Sequence, residues 1–152
     1  MKIKVNNKIF YLQYEGVVPG FDENGSKLYE IVHKSKKIKI TQDRIDRYLN
    51  FFKTDPRTRS AYDQVQARVK FKELFPPIRS MKVAEGNVYL VTYKEDGDNR
   101  EFFIYDEKGK LIKQVMLPLI ELNGLFLSPY TIYKNKIYQV VENIDDEEWE
   151  LH

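Results

Sequence analysis

The fold of this chain is decided by residues 79–117, which read RSMKVAEGNVYLVTYKEDGDNREFFIYDEKGKLIKQVML. Asp96-Gly97-Asp98-Asn99 and Asp106-Glu107-Lys108-Gly109 are two turn signals inside this stretch. Both favour hairpins. The runs around them are rich in the β-branched and aromatic residues typical of strands, and they occupy residues 79–83, 87–93, 101–105 and 111–117. The stretch therefore predicts a four-stranded antiparallel meander.

Both flanks of this stretch repeat its strand pattern. Before it, strand-like runs occupy residues 8–14, 28–32 and 36–40, and Asp22-Glu23-Asn24-Gly25 marks a turn between the first two. These runs follow an alternating N-terminus and predict a first meander. After it, similar runs at residues 130–133, 136–141 and 149–151 predict a third meander that lacks a fourth strand.

Superposing the three meanders predicts one repeated module. The hairpin strand at Ile9 corresponds to the strands at Val88 and Ile137. The third strands are expected to match in phase at Tyr29, Ile31, Phe103, Tyr105, Trp149 and Leu151. A repeat of roughly 40 to 50 residues with four strands is the period of propeller blades.

Between the first two meanders the periodicity changes to that of helices. Thr41 is suited to an N-cap, and the apolar residues after it recur at helical spacing: Ile45, Tyr48, Leu49 and Phe52. Asp55-Pro56 offers an N-cap followed by proline at the first helical position, which predicts a second helix. Pro76-Pro77 ends the region, because neither proline donates a backbone hydrogen bond.

Several of these stretches resemble a known family. Phe75-Pro76-Pro77-Ile78-Arg79 and residues 88–93, 101–110 and 138–143 resemble the C-terminal part of bacterial six-bladed β-propellers of the NHL-like kind. The resemblance covers nearly the whole chain and rests on turn and strand patterns. It implies propeller-type blades, with a charged helical insertion before the Phe-Pro-Pro turn, and it supplies no catalytic residues to transfer.

The expected architecture is therefore a single partial-propeller domain over residues 1–152. We expect it to be mainly β, with four-stranded antiparallel blades and a two-helix insertion. The first blade is predicted at 1–40, the helical insertion at 41–77, the second blade at 78–118 and an incomplete third blade at 119–152. The alternative fold is α+β with one antiparallel sheet.

Composition excludes several classes of protein. The chain has 25 Lys and Arg against 23 Asp and Glu, a net charge of +2, so a strongly basic nucleic-acid binder is not indicated. It has no cysteine, which excludes disulfides, thiolate zinc sites and cysteine nucleophiles. No apolar run approaches the roughly 18 residues of a membrane span. The chain as written is expected to be cytoplasmic, or extracytoplasmic if it is a fragment of a secreted propeller protein.

No residue pattern predicts a catalytic, cofactor or metal site. The histidines are His33 and His152, and His33 is expected to have a surface or packing role. The serines lie without a nucleophile-elbow motif. The acidic stretch at residues 142–148 lacks the spacing and central glycine of an EF-hand, so a solvated hairpin is the preferred interpretation. We therefore expect no catalytic activity.

The partner prediction follows from incomplete closure. Two blades and three further strands cannot close a ring of about four to eight blades, and their apolar faces would stay open. We expect a second copy of the chain, or another protein that supplies blades, to cover them. The side chains expected to make binding contacts are Tyr48, Phe52, Arg59, Tyr62 and Trp149.

Two other functions remain open at this point. The chain could be a fragment of a larger ligand-binding or enzymatic propeller, whose site would lie on the central channel. It could also be a small nucleic-acid-associated protein, because basic and aromatic residues interleave in the helical insertion. The near-neutral total charge argues against nucleic acid, and a solvated helix pair explains the insertion equally well.

Overall fold

The computed structural model describes residues 1–5, 7–13, 15–34, 36–122, 125–143 and 148–152. Strand accounts for 49% of the chain and helix for 16%, which confirms the prediction of a mainly β protein. An α+β description also fits this content. Neither helix has the length and apolar character that crossing a membrane requires, within the residues described.

The strands lie in four antiparallel sheets and not in the single sheet of the alternative fold. The first sheet contains β1 (Lys2–Val5), β2 (Lys8–Tyr11), β3 (Val17–Phe21) and β4 (Lys27–Val32). The second contains β5 (Ser80–Ala84), β6 (Asn87–Asp96), β7 (Asn99–Asp106) and β8 (Leu111–Pro118). A small hairpin pairs β9 (Glu121–Leu122) with β10 (Phe126–Leu127), and the third sheet contains β11 (Tyr130–Tyr133), β12 (Lys136–Asn143) and β13 (Glu148–Leu151).

The three larger sheets begin with hairpins of the same register. Lys4 pairs with Ile9, Val83 with Val88, and Ile132 with Ile137. In the second sheet the two turn residues, Glu85 and Gly86, have φ values of 51° and 77°, and Lys134 and Asn135 in the third have φ values of 49° and 57°. Positive φ at both central residues is what a type I′ turn requires, and this turn matches the twist of the flanking strands.

The first sheet departs from the predicted strands. The sequence predicted no strand at 17–21, yet β3 forms there. Proline is tolerated because Pro19 is not among the residues that pair between β2 and β3, so its missing N–H removes no hydrogen bond from that ladder. Tyr29 covers Gly20, where an added Cβ would lie 2.8 Å from the ring. Tyr29 and Ile31 lie in β4, which is the fourth strand of the first sheet. Their predicted match with the third strands of the other two sheets is therefore wrong.

The predicted strand at 36–40 is also wrong. Its only ladder contact among the described residues is an isolated bridge between Lys39 and Leu74. Alternation of lysine and isoleucine indicated a strand with one solvent-exposed face, but β4 is already the fourth strand of the first sheet. The segment instead leads from β4 to the helical insertion.

The helical insertion contains α1 (Gln42–Thr54) and α2 (Tyr62–Arg68), with a 3₁₀ turn at Arg59–Ala61. Thr41 caps α1 as predicted, since its side chain accepts a hydrogen bond from the Arg44 N–H. Asp55 does not begin the second helix. Its own N–H closes α1 on the Phe51 carbonyl, and its carboxylate accepts from the Arg57 N–H at 2.8 Å. Because of this turn, α2 begins at Tyr62 and not at Pro56.

The core lies on both sides of the second sheet. On one side, Val88 and Leu90 pack against residues of the first sheet, namely Phe10, Val18 and Ile31. On the other side, Tyr89 and Val91 pack against residues of the third sheet, namely Tyr130 and Ile132. The second sheet is therefore covered on both faces, whereas the first and third sheets are each covered by it on one face.

Candidate binding surfaces and cavities

The outer face of the third sheet is apolar and exposed. Ile132 and Ile137 pack toward the second sheet, so the alternate residues face away from it. Trp149 is 62% exposed and Leu151 71%. The outward apolar residues of this face are Tyr133, Tyr138, Val140, Trp149 and Leu151.

The outer face of the first sheet is also partly apolar. Phe10 and Ile31 point into the core, which leaves Tyr11, Leu28 and Val32 exposed on the opposite face. The Tyr11 ring contacts Phe21 edge-on, with 5.7 Å between ring centroids. The ammonium group of Lys2 lies 5.6 Å from the Tyr11 centroid. Both ends of the stack therefore offer aromatic and aliphatic surface.

The five residues predicted to bind are distributed over three places. Tyr48 and Phe52 contact each other in α1, with 4.9 Å between ring centroids. Arg59 and Tyr62 line a separate open cavity of about 580 Å³ beside the end of α1. Trp149 lies on the outer face of the third sheet. The structure thus brings together two pairs of these residues but not all five, and their role in binding stays a prediction.

Sequence reasoning missed a buried ionic cluster around Glu121. The Glu121 side chain is 3% exposed and accepts hydrogen bonds from Arg79, from Arg100 at 3.1 Å and from Arg44 at 3.3 Å. Arg44 also pairs with Glu95 at 3.0 Å. The cluster ties α1 to the second sheet and to the β9–β10 hairpin. No local signal marks it, because its members come from α1, β6, β7, β9 and the residue just before β5.

The arginines of this cluster keep the Glu121 carboxyl group ionised. Burial by itself would raise the pKa of the carboxyl, because it disfavours the charged form. The hydrogen bonds and charges of Arg79, Arg44 and Arg100 outweigh burial and lower the pKa to about 2. The cluster is therefore ionic at neutral pH, and its hydrogen bonds join α1 to the second sheet and to the β9–β10 hairpin.

Two aromatic rings extend the cluster toward a cavity. Phe75 of the Phe-Pro-Pro turn stacks on Tyr93, with 4.1 Å between centroids and 10° between planes. The Arg44 guanidinium lies 5.7 Å from the Phe75 centroid, and that of Arg79 lies 5.3 Å from the Tyr93 centroid. These residues line a cavity of about 460 Å³, which Tyr48 also borders.

His33 is buried against the second sheet. Its Nδ1 lies 3.1 Å from the Tyr105 hydroxyl, and its ring contacts Phe103 with 4.4 Å between centroids. Burial lowers the pKa of His33, and the negative charge of Glu101 opposes that shift only in part. His33 is therefore a neutral, packed imidazole at pH 7.

The structure contains no group of three or more His, Asp and Glu side chains placed to hold a metal ion, among the residues it describes. The acidic stretch weighed as a calcium site includes Asp145, Asp146 and Glu147, which lie outside the described residues. Comparison with protein-family models, with curated proteins and with solved structures gives no match for this chain.

Proposed function

We propose that this chain is a non-catalytic binding or assembly module of β-propeller type, which works by stacking an outer sheet face against the sheet of a partner. The observation that carries the proposal is the contrast between the second sheet, covered on both faces, and the other two sheets, each open on one face. The partner is a second copy of the chain, or another protein that supplies blades.

Equivalent positions support this mode of association. By hairpin register, Tyr138 and Val140 of the third sheet correspond to Tyr89 and Val91 of the second. Tyr89 and Val91 are buried by the next sheet, while Val140 is exposed. The third sheet therefore carries the same side chains that the second sheet uses to bind its neighbour.

The first sheet offers the complementary face. Ile9 corresponds to Val88, which packs toward the preceding sheet, and Ile9 lies on the open side of the first sheet. The outer face of the third sheet in one copy can therefore meet the outer face of the first sheet in another. Such head-to-tail contacts close into rings when the rotation between copies allows it.

The edge of the third sheet adds a second kind of contact. Among the described residues, β13 pairs only with β12, so the N–H and C=O groups along its other edge face no neighbouring strand. The second sheet has a fourth strand at that place, β8. A partner strand at this edge would satisfy these groups.

The experiment is a measurement of molar mass by light scattering at a series of micromolar concentrations. We expect self-association in the wild type, which W149E/L151E removes on the third sheet and L28E/V32E removes on the first. The control is Ile112→Glu, which places a single carboxylate at an exposed position of β8 and leaves association unchanged. A compact monomer that also binds no hydrophobic dye would overturn the proposal.

A further inference from the structure

A short basic segment follows β4. Residues 34–39 contain four lysines, Lys34, Lys36, Lys37 and Lys39. The chain is anchored on both sides of the first three: the His33 N–H donates to the Gly16 carbonyl at 3.0 Å, and the Phe75 N–H donates to the Ile38 carbonyl at 2.9 Å. Lys34, Lys36 and Lys37 are therefore held near one another by fixed backbone at both ends.

Two cavities flank this segment. The larger has a volume of about 740 Å³ and lies between the segment, α1 and the second sheet, with Phe103 in its wall. The smaller has a volume of about 250 Å³ and is bordered by His33 and by the two prolines that follow Phe75. Lys34, Lys36 and Lys37 line both cavities. The larger volume is in the range of small-molecule sites, about 300–1,000 Å³.

The carboxylates around the larger cavity are already engaged. Glu101 accepts hydrogen bonds from Thr92, Lys94 and Gln114 at 2.8–3.0 Å. Glu95 pairs with Arg44 at 3.0 Å. These contacts neutralise both acids without using the basic segment.

The three lysines therefore keep their positive charge available. Lys34, Lys36 and Lys37 form no ion pair with any residue that the structure describes. Lys39 lies 3.8 Å from Glu73, and both of these side chains are exposed. Among the residues that the structure describes, Glu15 is the single carboxylate bordering the smaller cavity. The potential over the two cavities is consequently positive.

His33 borders the smaller cavity and has a ring nitrogen without a hydrogen-bond partner among the described residues. It is 3% exposed, and its Nε2 has no hydrogen-bond partner among the described residues. When the Tyr105 hydroxyl donates to His33 Nδ1, Nε2 carries the ring proton and is a donor. An unsatisfied buried donor costs about 1–3 kcal/mol and calls for an acceptor.

We propose that the basic segment and His33 form a binding site for a small polyvalent anion, a molecule that bears a diphosphate or several carboxylates. Lys34, Lys36 and Lys37 contact its charged oxygens, and His33 borders the smaller cavity that receives one of these oxygens. Concave walls favour a small molecule over nucleic acid, which binds along an extended basic surface.

The experiment is calorimetric titration of the full chain with pyrophosphate and, in parallel, with citrate. K34Q/K36Q/K37Q should weaken binding at least about tenfold, because charge-assisted hydrogen bonds are the strong ones. The matched control K70Q/K108Q/K113Q removes the same charge from exposed lysines that line neither cavity and should change affinity less than about twofold. Equal losses in both variants, or no binding of either anion at millimolar concentration, would overturn the proposal.

Nitrogen NMR of the imidazole groups locates the ligand. Bound pyrophosphate should shift the Nε2 resonance of His33 and leave that of His152 unchanged. Binding without a shift at His33 would contradict the proposed site. Binding of a mixed oligonucleotide in preference to both small anions would assign the lysines to nucleic acid instead. The sheet-face variants W149E/L151E should bind pyrophosphate normally, so this proposal and the assembly proposal can fail independently.

Discussion

The second and third sheets begin with the same hairpin and differ in what covers them. In the second sheet, Tyr89 and Val91 are buried beneath the third sheet. In the third sheet, Val140 at the equivalent position is exposed, and Trp149 and Leu151 extend its apolar face. An alternating apolar strand thus specifies a face suited to packing but does not itself supply the neighbour.

The largest expected effect comes from placing one charge at each of two equivalent positions. Val91→Asp should cost at least about 4 kcal/mol of folding free energy or prevent folding, because it buries an unpaired carboxylate. Val140→Asp should change stability by less than about 1 kcal/mol but abolish self-association. Urea denaturation and light scattering measure the two effects. Equal destabilisation by both variants would contradict the distinction between covered and open faces.

The ionic cluster gives the next effect, since it fastens α1 onto the covered sheet. Glu121→Gln should cost about 3 kcal/mol, because three guanidinium groups lose their buried counter-charge. The control is Glu73→Gln, whose ion pair with Lys39 is exposed and should contribute less than about 0.5 kcal/mol. Chemical denaturation compares them, and a loss of similar size in the two variants would refute a structural role for the cluster.

A smaller effect is expected in the first sheet, at the glycine beneath Tyr29. Gly20→Ala should cost about 1–3 kcal/mol, because its Cβ would lie 2.8 Å from the Tyr29 ring. The cost should fall when Gly20→Ala is combined with Tyr29→Ala, since the smaller side chain removes the clash. A double-mutant cycle measures this coupling. Additive losses would show that the ring is not what excludes a side chain at this position.

The last expected effect is on the acid side of the stability profile. The pKa of Glu121 lies at about 2 in the folded chain, below its usual 4.5. Its contribution to stability is therefore complete above about pH 4.5 and decreases as the pH falls toward 2. The difference in unfolding free energy between wild type and E121Q should shrink over this range. A difference that stays constant from pH 6 to about pH 3 would contradict the lowered pKa.

The sequence predicts the second sheet most completely. Its strands follow alternation over consecutive residues, and both of its later turns carry aspartate and glycine. The fourth strand, predicted at 111–117, ends one residue later, at Pro118. Local patterns are sufficient here because each strand carries its own alternation and each of these turns its own aspartate and glycine.

The first sheet shows where local patterns fail. Pro19 and Gly20 are strand breakers by composition, and β3 forms around them because Tyr29 from the next strand covers the glycine. The lysine-rich run at 36–40 has the right alternation, but β4 is already the fourth strand of its sheet, and the run pairs only through the Lys39–Leu74 bridge among the described residues. A single sequence shows neither that Tyr29 will contact Gly20 nor that β4 will form the fourth strand of this sheet.

The candidate sites were predictable only in part. Exposed aromatic residues such as Trp149 could be identified from the strand pattern, because alternation shows which residues share a face. The basic segment was visible as a lysine run, but its pairing with His33 and two cavities depends on tertiary structure. The cluster around Glu121 gave no signal at all, since its arginines lie 21, 42 and 77 residues away.

That separation has a consequence for the order of folding. Hairpin contacts close short loops, whereas joining Arg44 to Glu121 closes a loop of 77 residues at a greater entropic cost. The helical insertion should therefore dock after the rate-limiting barrier has been crossed. Interactions absent from the transition state slow the reverse reaction and leave the forward rate unchanged. We expect the three arginines around Glu121 to slow unfolding of the native protein, and the unfolding rate of E121Q measures this effect.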